Sequence, residues 1–155
     1  MENQQVLSQL AIDNQLAVLR LKRSMLSNES KQLIAEIVQE REVEICNAKN
    51  DYATKRMTLK NKRFEIEQRQ HEFYLQGDEN KCEKMKLQRL EVDKQLSLLQ
   101  DQLQLEICAI RRKSLERQNN VLQQQRKQVN EYEKKKLELK EQLEKVIESK
   151  TINAE

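Results

Sequence analysis

A single glycine interrupts an otherwise glycine-free chain of 155 residues, and the chain contains no proline. This residue, Gly77, lies almost at the midpoint, and the sequence on both sides follows a helical pattern. Glycine is the default residue where a helix ends in a left-handed conformation, and Asp78 and Asn80, which follow it, are typical turn and N-cap residues. The sequence therefore predicts two long helices that fold back on each other at Gly77.

The composition is typical of a coiled coil. Charged residues make up 35% of the chain, hydrophobic residues 37% and aromatic residues only 3%. The regular spacing of the apolar residues argues against disorder, and two aligned helices bury only a narrow seam. We therefore predict an all-α fold, a two-helix antiparallel coiled-coil hairpin. It is a single domain spanning residues 1–155, with arm one at 3–75, the turn at 76–80 and arm two at 81–150.

The predicted seam follows the alternating spacing of four and three residues that is typical of a heptad repeat. In the first half of arm one it comprises Ile12, Leu16, Leu19, Arg23, Leu26, Ser30, Leu33 and Ile37. It then moves over by one residue and continues with Val38, Ile45, Tyr52, Leu59, Ile66 and Phe73, while the other seam position carries Ala48, Lys55, Lys62 and Arg69. In arm two the repeat is clear at residues 92–103 and 129–146, with a stutter between Cys108 and Leu122.

A fold-back at Gly77 places residue i opposite roughly residue 155 minus i, because both arms leave the same turn. Leu59 then faces Leu96, and Lys62 faces Asp93. The alternative is an unbroken helix that pairs in parallel with a second chain. That arrangement sets like charges against each other in the seam and places Gly77 inside a helix, at a cost of about 1 kcal/mol. The hairpin is therefore favoured.

Phe73, Tyr74 and Leu75, beside the turn, are predicted to close the hairpin as an apolar plug, the alternative being an exposed partner-binding tip. Cys46 and Cys108 are predicted to lie at nearly the same level on opposite arms, as small buried or half-buried thiols, the alternative being a regulatory disulfide.

The sequence shows no catalytic constellation. One glycine is too few for a phosphate-binding loop, and His71 lies in a polar stretch. None of the three cysteines belongs to a CxxC pair, which argues against a zinc site. We therefore expect no enzymatic activity, no cofactor and no metal.

The charge pattern leaves several kinds of partner open. The net charge of +3 is too small for a typical nucleic-acid binder. Residues 52–64 nevertheless contain five bases and no acid, namely Lys55, Arg56, Lys60, Lys62 and Arg63. This basic strip is either a helix surface balanced by acids on the other arm or a docking strip for an acidic protein. Nucleic acid is a weaker third possibility, because stacking aromatic residues are almost absent.

The N-terminal residues lack the basic and apolar regions of a signal peptide, and no apolar run is long enough to span a membrane. Free cysteines are typical of a reducing compartment. We therefore expect a cytoplasmic protein.

The length, the midpoint turn, the Lys/Gln/Glu-rich arms and the leucine and arginine pattern of residues 16–23, LAVLRLKR, together resemble the FliJ/YscO family. These are bacterial stalk proteins of flagellar and type III secretion systems, some of which act in virulence. The resemblance implies a cytoplasmic two-helix coiled coil, at the cytoplasmic face of the secretion apparatus. Such a protein docks in the ring of the hexameric export ATPase, stimulates it and links it to the export gate. Export chaperones are further possible partners. Small-molecule substrates and nucleic acid are not expected, and contact with the membrane is only indirect.

If the resemblance holds, the end of the hairpin opposite the turn is the expected ring-binding site. Six bases cluster there at one level of the two arms: Arg20, Lys22, Arg23, Lys134, Lys135 and Lys136. The alternative function is a non-enzymatic coiled-coil scaffold or tether for another cytoplasmic assembly.

Overall fold

Two long helices contain nearly all of the chain. The structure is a computed structural model that describes the backbone of residues 2–154 and the side chains of residues 3–149. Helix α1 spans Glu2–Leu75, helix α2 spans Glu79–Ala154, and the described residues include no strand. The two helices pack against each other as a hairpin, which confirms the predicted all-α fold.

The turn between the helices has the geometry that a C-terminal glycine allows. Gly77 adopts a left-handed conformation with φ of 73°. Its backbone N–H donates to the carbonyl oxygen of Tyr74, and that of Asp78 donates to the carbonyl oxygen of Phe73 at 3.0 Å. These two bonds form a Schellman motif that closes α1. The Asp78 carboxylate then accepts a hydrogen bond from the backbone N–H of Lys81 at 3.2 Å, which makes Asp78 the N-cap of α2.

The chain divides into two compact units. The terminal unit comprises Met1–Ile37 and Glu116–Glu155, and the turn unit comprises Val38–Leu115. Each unit buries a single line of side chains between its two helical segments. The buried residues are Ile12, Ser30 and Ile37 in the terminal unit, and Ile45, Ala48, Ile66, Val92, Ile107 and Ser114 in the turn unit.

One ion pair in each unit shows the register between the helices. Arg23 pairs with Glu133 in the terminal unit, and Arg63 pairs with Asp93 in the turn unit. In both pairs the residue numbers add up to 156. The predicted register was therefore correct to within one residue.

The seam changes its repeat along α1, and this corrects the predicted position of Leu33. Leu33 is 48% exposed, whereas Ile34 is half-buried. From Leu26 one line of covered residues follows spacings of four, four and three, at positions 26, 30, 34, 37, 41, 45 and 48, with Ser27 and Val38 half-buried beside it. The same pattern runs from Leu99 to Tyr132 in α2, across the predicted stutter. Eleven residues in three turns give 3.67 per turn, close to the 3.6 of an α-helix, so this repeat keeps the covered line on one face.

The charged seam predicted in the turn unit is wrong by one residue. Lys55, Lys62 and Arg69 are exposed, and Arg63 and Gln70 are half-buried in their place. The shift puts a base next to an acid of the other helix, since Arg63 contacts Asp93, where the prediction paired Lys62 with this acid.

The apolar plug is formed by Phe73 without its two neighbours. Phe73 is half-buried, with the Nζ atom of Lys81 5.3 Å from the centre of its ring. Tyr74 and Leu75 are 74% and 71% exposed. Successive residues of an α-helix point about 100° apart, so these three cannot share one face.

Two of the cysteines are also more exposed than predicted. Cys46 and Cys108 are both exposed, and only Cys82 is half-buried. Each exposed cysteine directly follows a buried residue, Ile45 or Ile107, so its side chain points away from the seam.

Candidate functional site

The six bases predicted as a ring-binding site all lie in the terminal unit, and the structure brings five of them beside two grooves. Lys22 and Lys135 line one groove. Arg20, Arg23 and Lys136 line the other. Leu19 borders both grooves, so the bases are divided between the two flanks of the seam. Lys134 is exposed and lines neither groove.

The first groove is lined by both apolar and charged side chains. It has a volume of about 390 Å³, and Val18, Leu19 and Leu139 provide its apolar surface. Lys22 and Lys135 also line it. Its remaining lining residues are Asn14, Gln15, Glu138 and Gln142. An apolar side chain flanked by a carboxylate, on a partner helix, has the shape and charge to occupy such a groove.

The second groove is a cleft of only about 30 Å³, and its charge is partly neutralised. The Nη1 atom of Arg23 donates a hydrogen bond to Oε1 of Glu133. Arg23 is therefore occupied within the hairpin. Arg20 and Lys136 have no ion pair with any described residue, and the same holds for Lys22, Lys134 and Lys135. These five residues, Arg20, Lys22, Lys134, Lys135 and Lys136, are called the basic cluster below.

The basic strip of the turn unit is also partly balanced. The Nζ atom of Lys55 lies 3.5 Å from the Asp51 carboxylate one turn earlier on the same helix. Arg63 contacts Asp93 across the seam. The other three, Arg56, Lys60 and Lys62, are exposed and have no ion pair with the described residues. The ion pairs of Lys55 and Arg63 support the interpretation of this strip as a balanced surface, and the three exposed bases support its interpretation as a docking surface.

A third groove, in the turn unit, is acidic. Glu44, Asp51 and Glu106 line it. They do not form a metal site, since no three potential ligands come close enough together among the described residues. His71 is exposed, as its polar sequence neighbours predicted.

One surface of the terminal unit was missed by the sequence reasoning. With Leu16 and Leu19 at heptad positions a and d, twelve b, c and f positions of α1 fall between residues 3 and 28, and all are exposed and uncharged. We call this surface the outer face of α1. In α2, by contrast, seven of the nine b, c and f positions between residues 130 and 148 are charged. Counting the charged residues on the face of each helix that points away from the seam would have revealed the outer face of α1 from the sequence.

Over the described residues, neither helix has a segment apolar enough over a sufficient length to cross a bilayer. Comparison of the chain with models of known protein families, with characterised proteins and with solved structures finds no match in any of the three.

Proposed function

We propose that this protein is a central stalk component of a type III secretion or flagellar export apparatus. In this proposal the terminal unit docks in the ring of the export ATPase through the basic cluster, stimulates the ATPase and links it to the export gate. The observation that carries the proposal is the basic cluster itself. Five bases without ion pairs surround the seam of one unit, and two of them line a groove together with Val18, Leu19 and Leu139.

The basic cluster suits an acidic protein surface. Charges without ion pairs in the hairpin, four of the five exposed, attract an oppositely charged ring over a distance set by the ionic strength, and so they accelerate docking. The groove lined by Val18, Leu19 and Leu139 adds short-range specificity, because it accepts an apolar side chain. Charge and groove together favour a partner helix that carries both an acid and an apolar residue.

The proposed action on the ATPase is mechanical. The two helices differ in sequence and charge, so the subunits around a ring meet different surfaces of the same hairpin. A ligand that contacts one conformation of a subunit better than another shifts the population toward it. The stalk would thereby bias the conformations of the ring subunits without any chemistry of its own.

The alternative function is a coiled-coil scaffold or tether for another cytoplasmic assembly. The uncharged outer face of α1 favours it, because this surface offers a second contact that does not depend on charge.

Charge reversal tests the proposal directly. The variant K22E/K135E changes the two bases that line the first groove, and the control K84E/K86E changes two exposed bases of the turn unit that lie outside both the basic cluster and the basic strip. Binding to a purified hexameric export ATPase and its rate of ATP hydrolysis are measured for each, with helix content checked by circular dichroism. We expect K22E/K135E to weaken binding at least tenfold and to abolish stimulation, while K84E/K86E changes binding less than twofold.

Undiminished binding and stimulation by K22E/K135E would exclude the basic cluster as the ring contact. If the wild-type protein neither binds nor stimulates any such ATPase, the stalk function itself fails and the scaffold becomes the better explanation.

A further inference from the structure

The outer face of α1 has the pattern of a second coiled-coil seam. Leu7, Leu10, Val18, Leu21 and Met25 on this face are between 49% and 64% exposed. Beginning at Leu7, the positions 7, 11, 14, 18, 21 and 25 alternate spacings of four and three residues. This is the spacing at which one helix packs against another. A helix face that contacts only water does not need regularly spaced apolar residues. In a chain with 35% charged residues, such a face could carry charged side chains instead.

We propose that a second copy of this chain docks on the outer face of α1 in antiparallel orientation. A two-fold axis near residue 16 brings complementary positions of the two copies into layers. Positions 7, 14 and 21 are one kind of seam position, and positions 11, 18 and 25 are the other. In this register each layer contains one residue of each kind, as antiparallel coiled coils require. The layers pair Leu7 with Met25, Ala11 with Leu21, and Asn14 with Val18 of the second copy.

Charge selects the antiparallel orientation. Asp13 and Arg20 border the outer face on one side, and Lys22 borders it on the other. An antiparallel pair sets Asp13 of each copy near the level of Arg20 of the other, so the signs are complementary. A parallel pair instead sets opposite flanks of the two copies against each other and brings Arg20 of one copy near the level of Lys22 of the other, which is unfavourable.

The same charges disfavour a membrane as the occupant. Arg20 and Lys22 suit an anionic lipid surface, but Asp13 opposes it, and Asn14 and Asn28 place amides in the apolar stripe. In a helix pair, a polar residue at a seam position fixes the register at some loss of stability.

The dimer is expected to be weak. The face spans residues 3–28, so its length is about 38 Å at 1.5 Å per residue, and it is one helix wide. A stable interface commonly needs about 800 Å² from each partner, which a single helix face of this length hardly reaches. Dimers should therefore form with a dissociation constant in the micromolar range.

Sedimentation equilibrium over a wide range of protein concentrations, in reducing buffer, tests the proposal. The variant V18E/L21E charges the outer face, and the control L98E/L105E charges two leucines of the turn unit that are 59% and 71% exposed. As the concentration rises, the apparent masses of the wild type and of the control should increase from the monomer value toward twice that value, over the same range of concentrations. The dissociation constant of V18E/L21E should rise at least tenfold.

A wild-type protein that stays monomeric at all concentrations would overturn the proposal, and so would a V18E/L21E variant that dimerises normally. Vesicles of phosphatidylcholine with phosphatidylserine provide a further arm. If they bind the monomeric wild type but not V18E/L21E, the face is a membrane surface and the proposal is wrong. None of these outcomes depends on the secretion ATPase.

Disulfide trapping tests the orientation in a variant without the three native cysteines. L7C/M25C should form covalent dimers readily, whereas L7C alone should not. Residues 7 and 25 of one chain lie about 27 Å apart along the helix, so they cannot form a bond with each other. Rapid trapping of L7C alone would indicate a parallel dimer and overturn the antiparallel assignment.

Discussion

The Nε atom of Arg63 lies 3.3 Å from the Asp93 carboxylate on the opposite helix and 3.3 Å from the Glu67 carboxylate on its own helix. It is screened from water, yet neither acid accepts a hydrogen bond from it. Both carboxylates lie within hydrogen-bonding distance of Nε, but the N–H bond is not directed at either of them. The contact is therefore an ion pair without a directed hydrogen bond. The side chains of Arg63 and Asp93 remain 40% and 36% exposed, which weakens the attraction.

A double-mutant cycle on R63A and D93A should therefore give a small coupling. We expect about 0.5 kcal/mol in the free energy of unfolding at low salt, decreasing as salt screens the charges. Urea titrations of the four proteins measure it. The control cycle uses Lys55 and Asp51, a same-helix pair that is 62% and 73% exposed, and it should give a smaller coupling. A coupling above about 2 kcal/mol would indicate a directed, charge-assisted hydrogen bond.

Gly77 is expected to stabilise the hairpin through its backbone alone. A Cβ atom at this position would meet no atom within 4 Å, but the φ of 73° is unfavourable for other residues. G77A should lower the free energy of unfolding by about 1 kcal/mol, and G77N by less, because asparagine tolerates this conformation. Urea unfolding measures both. Q76A, at an exposed neighbouring position, is the control and should change stability little. Equal losses for G77A and G77N would contradict the left-handed turn.

Val92 has the lowest exposure among the buried hydrophobic residues, at 2%. V92A removes two methyl groups from the seam and leaves a gap between the helices. We expect a loss of about 2 kcal/mol in the stability of the turn unit. Hydrogen exchange of backbone amides measures this loss by unit. L98A, on the same helix and 59% exposed, should change protection by less than about 0.5 kcal/mol. Equal effects of the two variants would mean that Val92 is not in the core.

The fold and its register were predictable because their signals are local or strictly periodic. Gly77 and Asp78 determine where the chain reverses, and both perform the expected backbone roles. Once the turn is placed, the connectivity fixes which residues face each other. The pairs Arg23–Glu133 and Arg63–Asp93 depart from the predicted register by a single residue.

The change of repeat was not predictable from aliphatic residues, because it occurs where the seam is small or polar. Ser30 and Ala48 were predicted in the seam and are buried, but Ser114 is buried within the predicted stutter and Gln125 is half-buried just after it. Neither Ser114 nor Gln125 belongs to a hydrophobic pattern that would predict its burial. Leu33, in contrast, is an aliphatic residue that fits the heptad and is nevertheless 48% exposed.

The candidate site was predicted in part. The level of the bases along the helices follows from the register, but the flank of the seam on which each one lies depends on the local repeat. Arg23 illustrates the limit, since its pairing with Glu133 across the seam offsets its charge while its side chain remains 51% exposed.

The three cysteines should differ in reactivity, which tests the position of the seam without any mutation. Cys46 and Cys108 are exposed. Cys82 is half-buried, and its Sγ–H donates to the carbonyl oxygen of Gln70 at 3.5 Å. We expect two thiols of the folded protein to react rapidly with a disulfide reagent and the third at least tenfold more slowly, because access limits thiol exchange. Mass spectrometry of partly labelled protein should identify the slow residue as Cys82.

Unfolding provides the control for this experiment. In concentrated urea all three thiols should react at similar rates, because the burial of Cys82 beside α1 is then lost. The slow thiol also reports on the turn, since G77A should accelerate it while leaving the rates of Cys46 and Cys108 unchanged. If Cys46 or Cys108 is the slow residue instead, the seam lies one position further along the helix that carries it. The eleven-residue repeat would then be incorrect, and with it the assignment of the covered residues.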